Sequence, residues 1–294
     1  MDEQYISIVI VTADSGPSTR ECVNRALASD VAVEVIVVDN GSEDGEPEAI
    51  ARAHSDLGNL HILYNRSNLG FGAAANIGAT QARGDHVVFL NPDCMLQPGT
   101  MRRMREALAS RRNGGLVGAV IQSPDGAVDP SSRRRDPLLQ RVRNTLRGKT
   151  DSVGLDGVHV PGPLPQGVSV EEAVSGALMM LPMRVFERCR GFDEDFFLHF
   201  EDLDLCRRVR DAGYEVLLAG DVCVEHAGGG SSHHRPVFVS RHKHTGMWRW
   251  LRNHDPVLRK PWIAAVVWLG IWSHFLITLP GTRAGKRKRP VSDD

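Results

Sequence analysis

The stretch "HVVFLNPDCMLQPG" (residues 86–99) decides the fold. Val87 to Leu90 run without a polar interruption, and Asn91-Pro92 then opens a turn in front of a single carboxylate, Asp93. A continuous apolar strand is one buried on both faces, as in parallel sheets covered by helices. Ligands of such sheets bind beyond the carboxyl ends of the strands, which is where this turn places Asp93. Pro presets φ and Asn favours turn starts, so a plain turn and a ligand site both fit the pattern.

Outward from this strand the same pattern repeats. "YISIVIV" (5–11), "VEVIVVDN" (33–40), "LHILYN" (60–65) and "GLVGAVI" (115–121) read as further strands. Between them "STRECVNRAL" (18–27), "GEPEAIARAH" (45–54), "GFGAAANIGATQA" (70–82) and "GTMRRMREALAS" (99–110) read as helices, the first with Ser18 and Glu21 in capping-box spacing. Strands alternating with helices predict an α/β fold with a mostly parallel sheet. Residues 122–170, rich in Pro, Gly, Ser and Arg, read as a long connection of the functional kind. Order is expected again at "EEAVSGALMMLP" (171–182, a strand), "EDLDLCRRVRDAG" (201–213, a helix) and short strands through "EVLLAGDVCVEHAGGGSS" (215–232).

A chain of 294 residues suffices for a sizeable core. Its net charge of −1 leaves no electrostatic footprint for nucleic acid. The five cysteines form no C-x-x-C pair, which suits a reducing compartment and argues against a zinc knuckle or a disulfide framework. The opening "MDEQ" is no signal peptide, so a cytoplasmic protein is expected.

Several acids and one histidine stand out. Asp39, at the end of "VIVVDN", either closes an Asx-type turn or offers a carboxylate to the imide N–H of a uracil or thymine base. Gly70-x-Gly72-x-x-Ala75 imitates a dinucleotide fingerprint, with Asp93 18 residues further on, but it follows the third strand rather than the first. Its small residues suit a close approach to the sheet or to a ligand. One carboxylate, Asp93, holds Mg²⁺ or Mn²⁺ only when substrate phosphates complete the oxygen shell. In "FFLHFEDLDLCRRV" (196–209) Glu201, Asp202 and Asp204 open a helix and arginines follow, which complements the helix dipole. Crowded carboxylates also raise one another's pKa, and a carboxylate so tuned suits a general base. His226 precedes a glycine-rich turn and reads either as structural or as a ligand.

Six stretches in order, "SIVIVT", "VIVVDNGSEDG", "NRSNLGFGAAANIG", "VVFLNPDCML", "VSGALMMLPMRVFERCRGFDEDFFLHFEDLDLCRRVRDAGY" and "HAGGGSS", resemble the inverting glycosyltransferases of family 2, in their bacterial rhamnosyltransferase-like branch. The resemblance covers about residues 5–250. It implies a GT-A-type fold, with residues 1–121 as the nucleotide-sugar-binding half and 122–250 as the acceptor-binding and catalytic half. Residues 251–294 would form a C-terminal helical extension with a basic tail. By the same resemblance Thr12, Asp39, Asn68, Gly70 and Asn91 face the donor, a nucleotide-diphosphate sugar. Asp93 and His226 hold Mg²⁺ or Mn²⁺, Ser175, Gly176 and Glu201 meet the acceptor, and Asp202 is the catalytic base. Two positions depart from the family: Ala13-Asp14 stands where Tyr-Asn is usual, and Asn91 replaces the first acid of D-x-D. The implied reaction moves a sugar, by preference rhamnose from a dTDP donor, with inversion onto a hydroxyl of a glycan or polyprenyl-diphosphate-linked saccharide in cell-surface polysaccharide synthesis. Another UDP or dTDP sugar, or a non-catalytic sugar-nucleotide-binding protein of the same fold, is the alternative. A nucleotidyltransferase would need a glycine-rich basic loop after the first strand, where "TADSGPSTR" stands.

Near the other end "WIAAVVWLGIWSHFLITL" (262–279) falls just short of the roughly 20 residues a spanning helix needs. Trp262, Trp268 and Trp272 with flanking basic residues suit an interfacial helix on the inner face of the plasma membrane. A helix packed on the catalytic domain, or a contact in a homo-oligomer, is the alternative. The basic run Arg133 to Lys149 reads as solvated charge or as a contact to the acceptor's diphosphate.

Overall fold

The structure is a computed structural model and describes residues 5–146, 158–160, 162–226 and 235–284. Strand β1 (Ile6–Thr12), helix α1 (Ser18–Leu27), β2 (Val33–Asp39), α2 (Glu46–Ala53), β3 (Leu60–Tyr64), α3 (Phe71–Gln81) and β4 (His86–Leu90) alternate as expected. They are followed by the two-residue β5 (Cys94–Met95), α4 (Thr100–Ala109) and β6 (Gly114–Gln122). Then come α5 (Leu139–Leu146), β7 (Val168–Glu171), β8 (Leu178–Pro182), α6 (Met183–Arg188), α7 (Glu201–Asp211) and β9 (Glu215–His226). Helices α8 (Pro236–His254) and α9 (Pro261–Ala284) are the last of the described elements.

One sheet runs in the order β3-β2-β1-β4-β8-β6-β9-β5, with β7 on β9. β3, β2, β1 and β4 are mutually parallel, and β6 is parallel to β9. β1 lies between β2 and β4, so the crossovers diverge there and open a crevice beyond the strand ends. The sheet is mostly parallel, as expected, and the segment 171–182, the region after 215 and the start of α1 differ from the sequence reading in detail. β8 inserts antiparallel between β4 and β6. The expected strand 171–182 is split: Glu171 ends β7, Leu178–Pro182 form β8, and Ser175-Gly176-Ala177 between them line the site. The expected short strands after 215 are one strand of 12 residues. The capping box at α1 does not form: Ser18 Oγ donates to Ser15 O, and Glu21 pairs with Arg25.

Each face of the sheet has its own core. On one, Cys22, Ile50 and Met104 belong to a core in which α1 lies on β1 and β2, α2 lies beside α1, and α4 lies on β6 and β9. On the other, Ala74, Phe186, Leu205 and Trp250 bring α3, α6, α7 and α8 together. Every residue of β1 and β2 is buried, as their β-branched stretches require, and the two polar interruptions meet each other, Ser7 Oγ donating to Glu34 Oε1 at 2.6 Å. The small residues of α3 let it lie close on the sheet: a Cβ on Gly78 would stand 2.5 Å from Val9 Cγ1.

Candidate active site

The carboxyl ends of β1, β2 and β4 converge as the sheet order demands. Asp39 is buried at the end of β2, and its Oδ1 accepts the N–H of Ser42 at 2.9 Å. The Asx-type turn therefore exists, and Oδ1 alone closes it. Thr12, also buried, ends β1 with its hydroxyl 3.5 Å from that of Thr19. Asn40, which sequence reasoning passed over, organises the next loop. Its Nδ2 donates to Asn68 Oδ1 (3.0 Å) and Gly70 O (3.2 Å), while its Oδ1 accepts from Asn65 Nδ2 and Leu69 N. Asn68 Oδ1 also accepts from Gly70 N at 2.9 Å. Gly70 itself has φ +88°, and a Cβ there would lie 2.6 Å from Phe197 O. Close approach to the 192–200 segment thus demands glycine at this position.

β4 ends at Leu90, and β5 pairs Cys94 with His226 of β9. This register brings His226 Nε2 to 3.0 Å from Asp93 Oδ1 and 3.4 Å from Asn91 Nδ2. Burial lowers the proton affinity of His226, but the hydrogen bond and charge of Asp93, with Asp129 adding, outweigh it and leave the pKa raised. Cys94 stands in the same cluster. Its thiol donates to Ala177 O, burial pushes its pKa well above the usual range, and its soft sulfur suits neither Mg²⁺ nor Mn²⁺. Among the described residues Asp93 and His226 are thus the pair placed to hold such a cation. Two ligands at about 2.1 Å on adjacent octahedral positions lie about 3 Å apart, which the observed spacing matches.

The segment Ser175-Gly176-Ala177 joins this pair to the second carboxylate site. Ala177 O accepts from Asn91 N at 2.9 Å, and Gly176 N donates to Asp202 Oδ2 at 3.0 Å. Ser175 Oγ lies 3.2 Å from Ser131 Oγ. A Cβ on Gly176 would press on Asp202, 2.9 Å from its Cβ. Asp202 also accepts from Leu203 N at 2.7 Å and forms an ion pair with Arg134, which sequence reasoning missed. Burial, then the neighbouring Asp202 charge, pushes the Glu201 carboxyl up to about 8, so it is protonated at neutral pH. The helix starts from two left-handed residues, His199 (φ 67°) and Phe200 (φ 74°), each costing on the order of 1–3 kcal/mol.

Three arginines of the basic run are paired with acids rather than left as solvated charge. Arg133 pairs with Glu171 at 3.1 Å, Arg134 with Asp202, and Arg141 with Glu172 at 2.6 Å. Lys149, the glycine-rich turn after His226 and the basic tail 286–289 lie outside the described residues.

Fold and site together define a GT-A glycosyltransferase. A mannosyltransferase from Pyrobaculum calidifontis, solved with GDP-Man and Mn²⁺, superposes with a TM-score of 0.59 at 21% identity, covering 95% of this chain and 73% of that one. The Glycosyl transferase family 2 model matches residues 7–160, and the chain belongs to that family. It is 27% identical over 274 residues to an N-acetylglucosaminyl-diphospho-decaprenol L-rhamnosyltransferase of Mycobacterium tuberculosis, covering 83% of this chain and 86% of that protein. It is also 22% identical over 213 residues to rhamnosyltransferase WbbL of Escherichia coli K12, covering 63% and 79%.

Proposed function

We propose that the chain transfers rhamnose from a dTDP donor, with inversion, onto a hydroxyl of a polyprenyl-diphosphate-linked saccharide. One observation carries the chemistry: adjacent residues of one segment hold both ends of the site, Ala177 O accepting from Asn91 N in the turn that bears Asp93, and Gly176 N donating to Asp202 Oδ2. The names of the relatives supply rhamnose and the lipid-linked acceptor. Residues 1–121 hold the donor, with Thr12, Asp39, Asn68, Gly70 and Asn91 around the nucleotide, and residues 122–250 hold the acceptor against Ser175, Gly176 and Glu201.

Asp93 and His226 would hold Mg²⁺ or Mn²⁺, which supplies Lewis-acid neutralisation of the leaving diphosphate. Asp39 accepts the base imide through the oxygen that the turn leaves over. Glu201, protonated, donates a hydrogen bond to an acceptor oxygen. Asp202 removes the proton of the attacking hydroxyl from the face opposite the leaving group, so one displacement inverts the anomeric centre.

The 251–294 extension is read as peripheral to the inner leaflet. Among the described residues Pro261–Leu279 is long and apolar enough to cross a membrane. Yet α8, folded back on α9 with His244 Nε2 3.0 Å from His274 Nδ1, carries Arg241, Lys243 and Arg252 outward. α9 itself is apolar on all sides, so the charged face comes from α8, and this charged companion along one side favours lying in the interface, with Trp262, Leu269 and Ile277 facing the lipid.

The test is a donor screen with Mg²⁺ or Mn²⁺ and a lipid-linked saccharide, reading nucleotide release and the anomeric configuration of the product. Release of dTDP with an inverted linkage, lost in Asp202→Asn while donor binding persists, is expected. A retained configuration, or an Asp202→Asn enzyme of normal rate, overturns the mechanism. A UDP sugar as the sole substrate overturns the donor assignment alone.

A further inference from the structure

Glu201 and Asp202 are adjacent acids withdrawn from solvent, and a cation is bonded to one of them. The pairing of residue 134 with Ala173, through Arg134 N to Ala173 O at 2.8 Å and Ala173 N to Arg134 O at 2.9 Å, carries the Arg134 guanidinium to the start of α7. Its Nη2 donates to Val174 O at 2.8 Å and to Asp202 Oδ2. Oδ2 also accepts from Gly176 N, so both of its in-plane lone pairs are used. Oδ1 accepts from Leu203 N and keeps one. Three separate stretches of chain therefore hold this carboxylate and leave one direction for an incoming proton. Glu201 Oε2, by contrast, is buried without a hydrogen-bond partner among the described residues.

Two adjacent buried carboxyls beside one guanidinium do not both stay charged, and the burial that pushes Glu201 up to about 8 agrees. Other groups face the pair. Cys206, also on α7, is a thiol pushed up to about 12 by burial. Arg210, one turn on, is bound to Asp136 at 2.5 Å. His199, from the turn before the helix, is pushed down to about 4 by burial, then by Lys243 of α8, with Arg134 and His242 also lowering it and Asp202 opposing. It is neutral at neutral pH.

We propose that Arg134 is a positioning residue of the transfer: it aims Oδ1 of Asp202 at the acceptor hydroxyl and keeps the pair's negative charge on Asp202 rather than Glu201. The role rests on Asp202 being the base. In the step, the acceptor proton passes to Oδ1 and the acceptor oxygen bonds to the anomeric carbon. The electron pair of the breaking C–O bond leaves with the nucleoside diphosphate. Without Arg134 the two carboxyls compete for one proton, and the pair titrates as a unit.

The experiment follows kcat against pH, with donor binding measured in parallel as the report of folding. Arg134→Gln is expected to lose about 10²-fold in kcat near neutral pH, to recover part of it at alkaline pH, and to bind donor as before. Its acid limb moves to higher pH, and adding Glu201→Gln moves the limb back. An arginine that only braces the fold gives no such suppression. Arg134→Lys keeps the limb in place with a lower kcat, and this variant decides the matter where Arg134→Gln fails to bind donor. A limb unmoved in Arg134→Gln, a shift that Glu201→Gln leaves untouched, or a wild-type kcat in Arg134→Lys overturns the role of Arg134. A normal rate in Asp202→Asn overturns the base assignment instead.

Discussion

Gly176→Ala is a one-carbon probe of the candidate base. The backbone of Gly176 lies outside the left-handed region, so alanine meets no conformational penalty there. The new Cβ would stand 2.9 Å from Asp202 Cβ, 3.1 Å from Oδ2 and 3.3 Å from Cγ. Ordinary carbon contacts are about 3.5–4.0 Å, so Asp202 has to move by about 0.6–1 Å. Displacements of about 1 Å in a reacting group cost about 10²-fold, or about 2.7 kcal/mol of transition-state stabilisation. Overpacking adds about 1–3 kcal/mol to the loss of stability. The assay is nucleotide release under saturating substrates, beside donor affinity by calorimetry. We expect kcat to fall about 10²-fold with donor affinity unchanged, since none of the residues proposed to face the donor or its metal is Gly176 or Asp202. Gly58→Ala, with open space around its Cβ, serves as the control. In the double variant with Asp202→Asn the two losses should fail to add, as they do for groups in contact. A Gly176→Ala enzyme within about threefold of wild type, or full additivity with Asp202→Asn, would refute the argument.

Three further outcomes are expected. Chelation abolishes transfer, Mg²⁺ or Mn²⁺ restores it, and Asp93→Ala is not rescued, whereas full turnover in chelator would sink the metal reading. Glu201, raised to about 8 in the folded chain against 4.5 for the free group, binds more protons folded than unfolded between those values. Its contribution to stability is therefore complete below pH 4.5 and lost as pH rises through about 8. Urea midpoints should fall more between pH 6 and 9 in wild type than in Glu201→Gln, and equal slopes count against a buried, protonated Glu201. The full chain should cosediment with anionic vesicles at low salt and be loosened by high salt, each basic residue near the surface adding about 1 kcal/mol. A chain cut before Pro261 should stay soluble and bind donor. A full-length protein wholly soluble at low salt would point to a packed helix or a contact between copies.

The parallel half of the fold was legible because its signals are local. The apolar runs at 6–12, 33–39 and 86–90 carry their burial in their own composition, and the helices between them start and end within a residue or two of the expected bounds. The acceptor half was less legible because its order is set at a distance. Nothing local in "VSGALMM" tells that three small residues line a carboxylate before a five-residue strand begins. Nothing in "SSRRRD" tells that its middle arginine meets an acid 68 residues further on. A run of arginines is read as solvated unless its partners are visible, and Glu171, Glu172 and Asp202 lie in later elements. Asp93 and His226 could be joined before the structure only by resemblance to a family. Strand register now joins them directly, by pairing Cys94 with His226.

The start of α7 also explains why the chain keeps α8 against it. His199 and Phe200 are left-handed without being glycine, a conformation that persists only where the surroundings impose it. α8 supplies that constraint. Gly246 approaches so closely that a Cβ would lie 2.9 Å from His199 O and 3.0 Å from the Phe200 ring. One turn on, Trp250 is fully buried, and at the end of the helix His254 Nε2 meets Asp204 Oδ1 at 2.7 Å. Asp204 is also held by Arg208 at 2.6 Å. The same α8 carries α9 on its other side through His244 and Phe275. The direction in which Asp202 leaves its helix is thus set by the element that carries the apolar α9. The boundary near residue 250 falls inside α8, so one helix touches both the start of α7, through Gly246 and His254, and α9, through His244.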